Sequence, residues 1–242
     1  MDTKFLKPKT AQIWNSIQDN SLLRDFVLIG GTALSMHIGH RISEDLDFAY
    51  VANSKHLPKK RIDLLVKEIT EAGYIVEKNP NAIEAEEFFD SGLDLDNYQQ
   101  DYVVDSDVKI SFVCFDPPMD QLIAKSDDIN LRVATLGEIF STKAIVCSER
   151  AKSRDWLDLY VLLNEHDYTI RDFYNVFDSV CRLNSFAIAK SRLINCKPSA
   201  HDEGYSMLMQ HAPSIDEMRS FFRSELNELE KILSIEKYGR HK

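Results

Sequence analysis

Asp45 and Asp47 stand one residue apart inside an apolar run, DLDFAYV. Side chains alternate along a strand, so the two carboxylates share one face there while Leu46 and Phe48 share the other. The apolar pair can enter a core. The acidic pair is left at the rim, where mutual repulsion is unfavourable unless cations sit between the two groups. Mg2+, or Mn2+ in its place, suits such a pair because it takes a few carboxylate oxygens, keeps waters and completes its shell with substrate phosphates. Two such ions about 3.5–4 Å apart activate an attacking hydroxyl and stabilise the leaving oxygen of a phosphoryl transfer.

The second half of that chemistry lies just upstream. Gly30 and Gly31 follow the apolar run FVLI, and their missing side chains let a triphosphate approach the backbone. The N–H groups and the positive end of the helix that follows favour anionic oxygens, and Thr32 adds a hydroxyl. Neither a diglycine turn nor an isolated DxD is specific alone. The order strand, GG, helix, strand, DxD gives each piece a mechanism.

The elements that must position these groups are legible in outline. FVLIG and DLDFAYV read as strands, and TALSMHIG reads as a helix opening with Thr32 as its cap. PKKRIDLLVKEITEAG carries helix start and stop signals, YIVEK reads as a third strand, and DYVVDSDVKISFVCF as two strands around a polar turn. The first part, residues 1–120, is therefore expected to be an α/β (α+β) domain with a mixed sheet flanked by helices. Residues 84–107 are acidic, contain no Lys or Arg, and read as a solvated face or loop. From 121 to 242 the periodicity becomes helical apart from a short strand-like run near INLRVA, which implies a helical bundle as a second domain; Thr135 and Glu138 form a capping-box pattern.

The helical part has its own charged stripe. If residues 143–158 form one helix, Lys143, Arg150, Arg154 and Asp158 fall in line at steps of seven, four and four, with Asp155 off to one side. A break near residues 148–153 would spoil that stripe. Ion pairs on an exposed helix contribute little, so the stripe gains meaning only beside the phosphate and metal motifs.

GGTALSMHIGHRISEDLDF resembles the signature of the polymerase-beta-like nucleotidyltransferase superfamily, and is especially similar to the AbiEii/AbiGii nucleotidyltransferase-like toxin family. Lys143, Arg150 and the segment RDWLD, Arg154 to Asp158, agree with that family's later motifs. The resemblance implies Mg-dependent transfer of a nucleoside monophosphate from an NTP to an acceptor hydroxyl, a toxin role in a toxin-antitoxin or phage-defence system, an antitoxin partner, and transfer RNA as a plausible acceptor. It further implies that Lys143 meets nucleotide phosphate, that Asp158 or Asp155 orients Lys143 or assists the attacking group, and that Arg41 binds phosphate or ties down its loop. Arg150 and Arg154 join the nucleotide-binding set by the same analogy. Many members of the superfamily carry a third carboxylate on a later strand; here VKISF places Ser111 at that point, with Asp107 and Lys109 nearby.

The totals set bounds on all of this. The chain has 242 residues, 44% hydrophobic and 28% charged, which suits a globular protein with a sizeable core. It has no apolar run long enough for a membrane span and no apolar secretion signal in MDTKFLKPKT, so a cytoplasmic protein is expected. Four scattered cysteines without a CxxC pair point away from a zinc site or disulfide frame. The net charge of -10 argues against nonspecific coating of nucleic acid. The acidity is uneven: residues 1–120 hold 12 Lys+Arg against 21 Asp+Glu, and residues 121–242 hold 17 against 18. Arg182, Lys190, Arg192 and Lys197 are candidates to guide RNA. Two alternatives stand beside the leading expectation: a non-catalytic nucleotide- or partner-binding module, which Ser111 favours, and modification of a small cationic acceptor of the aminoglycoside type, which an acidic cleft would suit.

Overall fold

The computed structural model describes residues 2–52, 54–117, 119–125 and 130–239. They divide into two compact units, Met1–Ile139 and Phe140–Lys242. The first begins with α1 (Pro8–Ile17), which has Pro in its first turn, followed by β1 (Phe26–Ile29) and α2 (Gly30–Ile38). Next come β2 (Leu46–Tyr50), α3 (Lys59–Glu71), β3 (Val76–Lys78) and α4 (Ala82–Asp90). The unit is completed by β4 (Gln99–Val104), β5 (Val108–Val113), β6 (Arg132–Val133) and the start of α5 (Leu136–Glu149).

The six strands form one mixed sheet in the order β3-β4-β5-β2-β1-β6. Hairpin and neighbour pairs β3/β4, β4/β5 and β1/β2 are antiparallel, while β2/β5 and β1/β6 are parallel. The two-residue strand β6 explains why the first unit extends past residue 120: Arg132 and Val133 pair with Val27 and Leu28, so the sheet is not finished until the chain has crossed back to β1. The expected strand near INLRVA is thus present, although Ile129 lies outside the described residues.

Alternation sorts the sheet as the sequence implies. Leu46, Phe48, Ile110 and Phe112 are buried on one face, where Phe48 stacks on Phe112 at 5.5 Å between centroids and Phe26 meets Phe112 edge-on at 5.4 Å. The β4–β5 turn is tight because Asp105 and Ser106 adopt φ of 48° and 57°, values that asparagine and aspartate tolerate better than most residues. Two segments refine the expectation. Residues 82–90, which overlap the start of the acidic stretch 84–107, form α4, with Asn81 accepting from Ile83 N at 3.2 Å and Phe88 against Tyr98 at 5.6 Å between centroids; none of its residues is buried, so the segment is a solvated face, as one of the two readings has it, and not a loop. Thr32 is not a helix cap, since α2 already begins at Gly30 with Ile29 preceding it.

The second unit holds most of α5, then α6 (Ser153–Glu165), α7 (Ile170–Ser179), α8 (Leu183–Asn195) and α9 (Ile215–Gly239). The expected capping box opens α5, with Thr135 N donating to Glu138 Oε2 at 2.7 Å and Glu138 N to Thr135 Oγ1 at 3.3 Å. A second box, Thr169 with Asp172, opens α7. Trp156, Phe173, Phe177, Phe222 and Leu226 are buried in the helical core. Arg219 and Arg223 donate to the carbonyls of Asn195 and Ile194 at 3.0 Å each, which satisfies the end of α8 where helical acceptors run out.

Candidate active site

β1 ends at Ile29, which stands opposite Asp47 in the antiparallel ladder. The chain then turns into α2 through Gly30, whose φ of +72° is open to glycine at little cost. A Cβ at Gly30 would stand 2.7 Å from Asp47 Oδ2, and one at Gly31 would collide with the Arg41 guanidinium. The two missing side chains therefore make room for a carboxylate and a guanidinium of this chain, laid directly on the bend. Asp47 is in this way brought to the start of α2, where first-turn N–H groups favour negative charge. Arg41 is 5% exposed and donates to Ile42 O at 3.2 Å. Replacing Gly30 by alanine is expected to cost about 1–3 kcal/mol in backbone strain and to displace Asp47; thermal unfolding and Mn2+ affinity, measured on the same variant, should both fall.

Asp45 lies one residue outside β2 rather than within it. Its carbonyl accepts the hydroxyl of Thr32, and its Oδ1 accepts the backbone N–H of Lys109 at 3.3 Å. Thr32 is 1% exposed and also shares a hydrogen bond with Ser43 Oγ at 2.8 Å. Its hydroxyl thus braces the segment that leads into the aspartates, a different task from the phosphate contact expected of it. The pair Asp45 and Asp47 fits a hard divalent cation by donor type, since both are carboxylates at the start of β2 and both remain partly accessible.

Ser111 sits where the registers place it, opposite Asp47 on β2 and opposite Asp101 on β4. Asp101 is a functional candidate that sequence reading missed. Its side chain is 6% exposed, with Lys109 Nζ 3.1 Å and Gln99 Nε2 3.0 Å from the same oxygen, Oδ2. The only local cue is a lone acid at the head of a strand, QQDYVV, and no one-dimensional spacing relates it to Asp47. Asp107, the other acid considered near Ser111, lies in the β4–β5 turn.

In the helical unit the anticipated break is present: α5 stops at Glu149 and α6 starts at Ser153. The continuous stripe does not form, yet folding back across the break gathers most of its members more tightly than a stripe would. Lys143 Nζ lies 2.7 Å from Asp155 Oδ1 and 2.7 Å from Asp158 Oδ2. Arg150 Nε lies 2.8 Å from Asp155 Oδ2. Lys143, Asp155 and Asp158 are buried, whereas the Arg150 side chain is 52% exposed. Burial pushes the Asp155 carboxyl up, but the charges of Lys143 and Arg150 and their hydrogen bonds outweigh it and bring the pKa down to about 2. Arg154 turns elsewhere, donating to Gly204 O at 2.8 Å and pairing with Glu203 at 3.1 Å, so it pins the 202–204 loop.

The basic residues considered for RNA contact are divided in the same way. Lys190 pairs with Glu230, Arg182 lies 3.9 Å from Glu149, and Arg192 donates to Cys147 O at 3.2 Å. Arg192 and Lys197 line a cavity of about 610 Å³ together with Arg219.

A family model described as the nucleotidyl transferase AbiEii toxin of Type IV toxin-antitoxin systems matches residues 12–230. The chain belongs to the AbiEii nucleotidyltransferase toxin family. An uncharacterised protein of Aquifex aeolicus is 22% identical over 223 residues, covering 92% of this chain and 97% of that one. Among solved structures, JHP933 from Helicobacter pylori has a TM-score of 0.50 at 18% identity and covers 98% of this chain and 100% of its own. MenT4, a nucleotidyltransferase toxin from Mycobacterium tuberculosis, has a TM-score of 0.47 at 15% identity, covering 87% of this chain and 78% of its own. The AbiEii match spans both units, so it takes in the diglycine bend, the DxD and the Lys143 cluster. Among the described residues, no helix of this AbiEii chain is long and apolar enough to cross a membrane.

Proposed function

We propose that this AbiEii-family chain transfers a nucleoside monophosphate from an NTP to an acceptor hydroxyl, in the presence of Mg2+ or Mn2+ held by Asp45 and Asp47. The observation that carries this reading is the seating of the Asp47 carboxylate on Gly30 at the first turn of α2, with Asp45 two residues earlier held by the Lys109 N–H. In the reaction the acceptor hydroxyl gives up its proton to solvent, its oxygen bonds to the α-phosphorus, the bond from that phosphorus to the α,β-bridging oxygen breaks, and pyrophosphate leaves. The divalent cation, when bound, supplies charge neutralisation at the phosphate oxygens. Most of the remaining rate enhancement is positioning, as in other phosphoryl transfers.

This chain's residues have separable tasks in that reading. Gly31 and Thr32 offer first-turn backbone N–H groups to phosphate oxygens, and Arg41, fixed over Gly31, adds a cation beside them. In the helical unit Lys143 is the residue proposed to meet phosphate, with Asp155 and Asp158 fixing its ammonium in one place. The acceptor is proposed to be RNA, transfer RNA in the first instance, with an antitoxin as the physiological partner and the cytoplasm as the compartment. A second reading, a nucleotide-binding module without turnover, is favoured by the hydroxyl of Ser111 in place of a third carboxylate.

Purified chain incubated with each labelled NTP, Mg2+ and either bulk RNA or aminoglycosides distinguishes the readings. Label on RNA that depends on Asp45 and Asp47 supports the proposal. Tight NTP binding without label on any acceptor supports the module, and label on the aminoglycoside alone replaces RNA as the acceptor.

A further inference from the structure

Lys109 is tied at both ends to carboxylates of the candidate site. Its backbone N–H holds Asp45 Oδ1 at 3.3 Å, and its ammonium lies 3.1 Å from Asp101 Oδ2. The ladders explain the meeting. Ser111 is the register partner of both Asp47 and Asp101, and Lys109, two residues earlier on β5, shares the face of Ser111. Asp101 is nearly fully buried, but its Oδ1 has no hydrogen-bond partner among the described residues, because Lys109 and Gln99 both take Oδ2. The Lys109 side chain is 43% exposed, so the buried acid anchors an ammonium that still reaches solvent or a ligand.

Two divalent ions on one sheet face need protein carboxylates to bridge and orient them in addition to the oxygens that the triphosphate supplies. The strand next to Asp47 supplies a hydroxyl at Ser111, and among the described residues no three Asp, Glu, His or Cys side chains converge to hold a metal. A positive group is already built into the same face. We propose that Lys109, anchored by Asp101, is a resident cation of this site, and that the site takes one divalent ion with its nucleotide. The ammonium stands in for a second ion and meets a phosphate oxygen. This rests on reading Asp45 and Asp47 as the cation-holding pair.

The test counts Mn2+ by electron paramagnetic resonance on the full chain saturated with a non-hydrolysable NTP analogue. One ion per chain is expected for the wild type and for Lys109→Arg, and two for Lys109→Met, where loss of the ammonium leaves the carboxylates to recruit a second ion. Lys109→Gln is counted alongside, with circular dichroism on each variant, so the result does not depend on one substitution folding. Two ions on the wild-type chain, or one on the wild type and both neutral variants alike, overturns the proposal. Failure of the underlying pair would show separately, as equal affinity of the Mn2+–analogue complex for the wild type and for the chain carrying Asp45→Asn and Asp47→Asn; that outcome removes the proposal with its foundation.

Discussion

Changing Asp45 and Asp47 together to asparagine is expected to lower nucleotidyl transfer by about a thousandfold or more, with the unfolding temperature nearly unchanged. Asparagine keeps the shape of each side chain, and at position 45 it keeps an oxygen able to accept the Lys109 N–H. What disappears is two negative charges whose mutual repulsion offsets part of what the Lys109 N–H and the first turn of α2 contribute to holding them. The loss should therefore fall on cation affinity and turnover. Initial rates across a Mg2+ titration, with calorimetry on the same samples, separate the two effects. Full activity in the double variant would mean that Asp45 and Asp47 do not hold the reacting nucleotide's cation.

The opposite balance is expected at Asp155. Asp155→Ala should destabilise the helical unit by about 3–5 kcal/mol, because the variant leaves Lys143 buried with one of its two carboxylates missing and releases Arg150 from the break between α5 and α6. A pH titration gives an independent check. The Asp155 pKa is about 2 in the folded chain against an ordinary 3.8, a depressed value, so its contribution is present above 3.8 and is lost as pH falls from there towards 2. The shift corresponds to about 2 kcal/mol, since one unit is about 1.4 kcal/mol. Glu138 in the first unit is also lowered to about 2, where burial opposes and the Arg132 hydrogen bond, the Thr135 and Ala124 N–H groups and the Arg132 charge prevail, so the probe must be local. Fluorescence of Trp156, which is fully buried in the helical unit, in a Trp14→Phe background serves that purpose. The wild type should lose stability across that window, and Asp155→Ala should show a flatter profile there. Parallel profiles would mean that the cluster contributes little to folding.

Both predictions turn on residues that stood out by type, yet the sequence reached them unevenly. β1 is legible as a continuous apolar run, and β2, α3 and the β4–β5 hairpin because burial on one face leaves a local signature that Pro58 and the turn at Asp105–Ser106 punctuate. The cap of α2 lies at Ile29, three residues before the Thr32 that the sequence suggests, because glycine is a poor helix former and only the space needed by Asp47 and Arg41 justifies it there. α4 leaves only a choice between solvated face and loop in the sequence, since a helix with no buried stripe has no periodic signal to read.

The residue order strand, diglycine, helix, DxD, followed by the Lys143 and RDWLD segments, was enough to fix the family and the fold class, because those constraints are local in the chain. Tertiary structure alone decided the partners. It set the Asp47 carboxylate on Gly30, folded α6 back so that Lys143 lies between Asp155 and Asp158, sent Arg154 away to residues 203 and 204, and put Asp101 and Lys109 beside Ser111. The physical reason is that strand register and helix breaks join residues far apart in the chain, and the charge they bring together has no counterpart in one-dimensional spacing.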